Sequence, residues 1–104
     1  MKLAFLSGPY RADNTQGVSD NIEQAKEAAI KYWQLGYAVI CPHLNTAHFD
    51  GLCPDDTWLE GDLEILSRCD VVVMIRGWQL SEGASYEHHK ALEWGKEIIY
   101  EVEC

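Results

Sequence analysis

The sequence predicts an α/β fold built on a parallel sheet. Three observations carry that prediction. Four short apolar runs have the length and composition of buried strands. Segments of helical apolar spacing separate them. Strand and helix alternate from one end of the chain to the other, which implies parallel pairing through right-handed crossovers. The expected strand order is 2-1-3-4, a small flavodoxin-like or Rossmann-like three-layer sandwich. The 104 residues are enough for one core, so one domain over residues 1–104 is expected.

Each element has its own signal. Lys2 to Ser7 reads as strand one and ends at Gly8-Pro9. Asp20 and Glu23 have capping-box spacing, which starts helix one near Asp20. Ile22, Ala25, Ala29, Tyr32 and Trp33 then recur at helical spacing, and Gly36 is a C-terminal stop. Residues 11–19 before that helix are polar and expected to be mobile. Tyr37 to Cys41 reads as strand two, closed by Pro42. Residues 42–54 have no period and read as a loop. Asp55 or Asp56 can cap helix two, whose apolar stripe is Leu59, Leu63 and Leu66. Asp70 to Ile75 is strand three. Helix three runs from Ala84 to Trp94, with Gly95 as its stop, and Ile98 to Val102 is strand four.

Composition narrows the function classes. The formal net charge of −9 repels phosphate backbones, so duplex nucleic acid is not an expected partner. A local cluster of donors can still hold a small nucleotide. No apolar run reaches the ~18 residues of a membrane span. The apolar stretch after Lys2 is too short for a signal peptide, which makes a cytoplasmic location the default expectation. Cys41, Cys53, Cys69 and Cys104 form no CxxC pair and read as reduced thiols. The set Cys41, His43, His48 and Cys53 matches no standard zinc spacing, and the adjacent His88 and His89 cannot form an i, i+4 metal pair. No metal and no cofactor is expected.

Two acids occupy positions where acids are rare. Asp62 shares the helix-two stripe with Leu59 and Leu66. Glu87 shares the helix-three stripe with Ala84 and Ala91. Carboxylates are almost never buried unpaired. Both can open toward one crevice at the carboxyl edge of the sheet, where open α/β sheets bind ligands. The competing reading places them at the margin of each stripe, reaching solvent.

Several further residues accompany the acids. Gly8 permits close backbone approach, and Arg11 can hold phosphate bidentately; an ordinary strand-exit turn explains both equally well. Ser81 can cap helix three, a role compatible with binding phosphate. Gly83 belongs to the turn that opens the same helix. Trp33, Trp58, Trp78 and Trp94 are core or interface candidates, and Trp78 alone is also placed to stack on a base.

With these pieces in view, the chain resembles the nucleoside 2-deoxyribosyltransferase superfamily, which includes the 2'-deoxynucleoside 5'-monophosphate N-glycosidases. The resemblance rests on Ser7-Gly8-Pro9-Tyr10-Arg11, Asp62, Asp70-Val71-Val72-Val73, and Ser81-Glu82-Gly83-Ala84-Ser85-Tyr86-Glu87 with Ala91 and Gly95. It implies that Glu87 is a nucleophile toward the anomeric carbon and that Asp62 assists the departing base. It implies phosphate contacts at Ser81 and Arg11, which with Gly8, Tyr10, Trp78 and Gly83 make up the expected substrate-binding set. Ser81 and Arg11 tilt the implied substrate toward a nucleoside monophosphate. Two positions depart from the superfamily pattern: Phe5 stands where a tyrosine often supports the nucleophile, and Pro9 replaces a serine. Sites in the superfamily are completed across subunits by a residue from beyond the last strand, whereas this chain ends soon after it. A homodimer or larger homo-oligomer is therefore expected.

The resulting expectation is cleavage of the N-glycosidic bond of a nucleoside or nucleoside monophosphate, by hydrolysis or by transfer to another base. The alternative is a non-catalytic nucleotide- or nucleotide-sugar-binding module on the same fold.

Overall fold

The computed structural model describes residues 1–9, 15–42 and 51–101. Its elements run β1 (Leu3–Ser7), α1 (Thr15–Gln34), β2 (Ala38–Ile40), α2 (Asp55–Ser67), β3 (Val71–Met74), a short 3-10 turn (Trp78–Leu80), α3 (Glu82–Glu93) and β4 (Glu97–Tyr100). The four strands form one sheet in the order β2-β1-β3-β4, parallel throughout. Fold class and strand order are therefore those predicted.

The register fixes which side chains meet each layer. Ala4 pairs with Val71 and Ser7 with Met74, while Met74 also pairs with Tyr100. Side chains alternate across a strand, so each strand feeds two cores. Ala4, Leu6, Val71, Val73 and Ile75 pack with Ala25, Ala29 and Tyr32 of α1. Phe5, Val72 and Met74 pack with Leu66 of α2 and with Ala84 and Ala91 of α3. The central strands β1 and β3 are buried on both faces, which is why they read as continuous apolar runs. Cys41 and Cys69 are buried cysteines beside β2 and β3, and neither is in a disulfide.

The helices depart from expectation in instructive ways. α1 begins at Thr15, not near Asp20, and residues 15–19 are helical rather than irregular. The Asp20/Glu23 spacing thus lies inside a helix. Trp33 lies off the buried stripe and is 55% exposed. Gly36 and Gly95 end their helices at φ +100° and +67°, the left-handed conformation that favours glycine. The N-cap position of α2 is the extended Pro54, with no side-chain hydrogen bond, so neither Asp55 nor Asp56 occupies it. Asp56 instead stands in the first turn, at the positive end of the helix dipole. In the α2 stripe Leu66 is buried, but Leu59 is 44% exposed. Of the predicted loop at residues 42–54, residues 43–50, with His43 and His48, lie outside the described residues, as do Tyr10 and Arg11. No helix among the described residues is long and apolar enough to cross a membrane.

Candidate active site

The site is built from two strand ends and two helices. β1 ends at Ser7, whose side chain lies on the face that carries Phe5, toward α2 and α3. Leaving β3, the chain turns at Gly77, with φ +92°, into the 3-10 turn. Ser81 then caps α3, its hydroxyl accepting a hydrogen bond from the Ala84 amide at 3.2 Å. The cap fixes the start of α3 over the carboxyl edge of the sheet. One turn further on, Ala84, Glu87 and Ala91 form the buried stripe of this helix. The alanines seat the helix closely enough to carry the Glu87 carboxyl to the end of β1.

There the Ser7 hydroxyl donates to Glu87 Oε1 at 2.5 Å. Ser7 is fully buried and Glu87 is 9% exposed. Burial pushes the Glu87 carboxyl up from 4.5 to about 7. The Ser7 hydrogen bond opposes that rise, and the charge of Asp62 adds to it. Asp62 is half-buried on α2, which packs against α3. Burial raises its carboxyl from 3.8 to about 6. The structure therefore brings the two acids within electrostatic reach of one another and lifts both toward neutrality.

Known proteins were compared over this same span. The family described as "Domain of unknown function (DUF4406)" matches residues 4–100. The chain belongs to this family. No curated protein matches it. The DUF4406 match runs from the second residue of β1 to the last residue of β4. Ser7, Asp62, Ser81 and Glu87 are thus all inside the DUF4406 domain, not appended to it.

Other residues singled out from the sequence have more local roles in this DUF4406 fold. A Cβ at Gly8 would stand 2.8 Å from Ile75 Cβ, so the close approach made by this glycine is to β3. Gly83 has no positive φ, and among the described residues a Cβ there would meet only Ser81 Oγ within 4 Å, at 3.9 Å. The conformational demand after β3 falls on Gly77 instead. Gly83 leaves open space beside the first turn of α3.

Trp78 is engaged within the fold. Its ring lies 4.3 Å from that of His88 and 6.1 Å from that of Tyr100, and His88 Nε2 is 2.7 Å from the Tyr100 hydroxyl. It also packs against the core cluster that contains Phe5, Val72 and Met74. Phe5, the position where the resemblance implies a supporting tyrosine, is fully buried in that core. The hydroxyl that supports Glu87 comes from Ser7, two residues further along the same strand face. A polar side chain closing a buried strand was the available signal. Among the described residues, no group of three or more His, Cys, Asp or Glu side chains is placed to hold a metal ion.

Proposed function

We propose that this protein cleaves the N-glycosidic bond of a nucleoside or nucleoside 5'-monophosphate, with Glu87 as nucleophile and Asp62 as proton donor. The observation that carries the reading is a buried carboxylate at the carboxyl edge of a parallel sheet, held by a hydroxyl and paired electrostatically with a second acid. Such an edge is where open α/β sheets bind ligands. Carboxyl groups raised toward neutrality are the groups that can exchange roles as nucleophile, acid and base.

In the first step a Glu87 oxygen forms a bond to the anomeric carbon, and the bond from that carbon to the base nitrogen breaks. The electron pair leaves with the base, which takes a proton from Asp62. In the second step water attacks the same carbon and displaces Glu87. Asp62, now ionised, accepts the proton of that water. A second base in place of water gives transfer instead of hydrolysis. The two-carboxylate logic is that of retaining glycosidases. No metal or organic cofactor enters these steps.

A cytoplasmic setting, in which Cys41 and Cys69 stay reduced, belongs to the same proposal. So does assembly into a homodimer or larger oligomer, supported by the exposed apolar side chains Ile30, Trp33, Leu92 and Trp94.

A second reading has one observation in its favour. Burial raises both the Glu87 and the Asp62 carboxyl, so near neutral pH the pair can hold one proton. That pair can donate to and accept from sugar hydroxyls without any bond breaking, as a nucleotide-binding module would. One experiment separates the readings: incubate the protein and Glu87→Gln with a panel of nucleosides and monophosphates, then assay free base and binding. Base release that falls by orders of magnitude in the variant supports the nucleophile. Binding without base release supports the module. Retention of most activity by Glu87→Gln refutes the role of Glu87.

A further inference from the structure

We propose that Ser7 is a positioning residue for Glu87, fixing the orientation of its carboxyl and favouring its ionised form. The inference rests on the Glu87 reading above, but it stands on the geometry of β1 and α3. Ser7 is the last residue of β1, pinned on one side by its pairing with Met74. Its carbonyl also accepts a 2.7 Å hydrogen bond from the Ile75 amide. The backbone that carries the hydroxyl is therefore fixed by the centre of the sheet. The Glu87 carboxyl is fixed at its base by the buried stripe between Ala84 and Ala91. The 2.5 Å contact joins two groups that neither helix nor strand alone could bring together.

An ionised carboxylate has no proton of its own and must be stabilised by donors. A hydroxyl that donates to one oxygen favours the charged form and fixes the rotation of the group. The second oxygen then keeps its lone pairs for an incoming electrophile. Among the described residues, the other groups facing Glu87 do not offer this. On the same sheet face, β1 contributes Phe5, while β3 contributes Val72 and Met74, all apolar. From α2 comes Asp62, whose negative charge works against ionisation. His88, the next residue on α3, is turned to Trp78 and Tyr100. Among these groups the Ser7 hydroxyl is the one that favours the charge.

The test reads Glu87 directly, without substrate. The carboxyl carbons of 13C-labelled protein are followed by NMR against pH in wild type, Ser7→Ala and Ser7→Thr, and Glu87→Gln assigns the signal. Ser7→Ala removes one buried oxygen and should move the Glu87 midpoint up by about one pH unit. Ser7→Thr restores the hydroxyl and should return the midpoint toward wild type. If the added methyl prevents folding, Ser7→Cys replaces it, and its weaker S–H donor should give an intermediate midpoint. A midpoint unmoved in Ser7→Ala overturns the proposal. So does an equal rise in Ser7→Ala and Ser7→Thr, because the effect would then be packing and not the hydroxyl.

Where base release is measurable, the limb of its pH profile set by Glu87, the alkaline one, should move with the midpoint, which a purely structural role would not cause. If the midpoint moves and no substrate is cleaved, Ser7 controls Glu87 but the glycosidase reading fails. If substrate is cleaved and the midpoint stays, the reverse holds.

Discussion

Replacing Glu87 with glutamine should stabilise the protein, and by an amount that depends on pH. The Glu87 carboxyl rises from 4.5 to about 7 on folding, mainly through burial. An acid whose folded-state pKa lies above its unfolded value carries a penalty that is absent below the unfolded value and complete above the folded one. For Glu87 that window runs from 4.5 to about 7. A pKa unit corresponds to about 1.4 kcal/mol, so the full penalty is about 3 kcal/mol. The amide of Glu87→Gln would keep an oxygen to accept from Ser7 and would carry no charge at any pH. Near pH ~8 the variant should exceed wild type by about 3 kcal/mol, and near pH ~5 by less than about 1 kcal/mol. For a chain of this size the larger difference is at least roughly 10 °C in Tm. Thermal melts followed by far-UV circular dichroism at both pH values measure it. Asp62 adds a pH dependence of the same sign, but it is present in both proteins, so the comparison isolates Glu87. An equal gap at the two pH values would refute the reasoning, because the gain would then come from packing and not from a buried charge.

The remaining predictions concern the same edge of the sheet. Base release should follow a bell-shaped pH profile between the midpoints of Asp62, about 6, and Glu87, about 7, because the reaction needs one proton on the pair. It should fall about sevenfold from the maximum at either pH ~5 or pH ~8, and a profile flat over that range would exclude the paired acids. Gly8→Ala should cost about 1–3 kcal/mol in urea unfolding, since a Cβ 2.8 Å from Ile75 Cβ forces β1 and β3 to move. Gly83→Ala should leave stability unchanged or raise it by up to about 1 kcal/mol, yet lower substrate affinity, because the new methyl enters space beside the cap of α3. Binding measured by calorimetry, with a melt as control, separates those two effects.

Much of the architecture was legible because it rests on local signals. The valine run of β3 and the Gly36 and Gly95 stops are each encoded within a few residues. The alanines flanking Glu87 mark its helix stripe, so the burial of that acid was also legible. The start of α1 was not, because Thr15 to Ser19 have no apolar residue beyond Val18 to show a helical period. Leu59 fits the stripe of α2 by spacing, but helical spacing says nothing about how far the sheet extends beneath a helix. The contacts of the site were the least legible. The Ser7–Glu87 hydrogen bond joins residues 80 apart in sequence, and only the parallel register brings them together. Likewise the contact of Trp78 with His88 depends on how α3 packs against the 3-10 turn, not on either residue's neighbours in sequence.

That stack gives the site an optical handle. Glu87 and His88 are consecutive on α3, one turned toward Ser7 and the other toward Trp78. A ligand that shifts the first turns of α3 must change the contact between the imidazole and the indole, whose rings lie 4.3 Å apart. The emission of Trp78 therefore reports on events one residue away from the Glu87 carboxyl, with no added dye. With Trp33, Trp58 and Trp94 replaced by phenylalanine, occupancy could be followed in real time for any ligand, whether or not it is turned over.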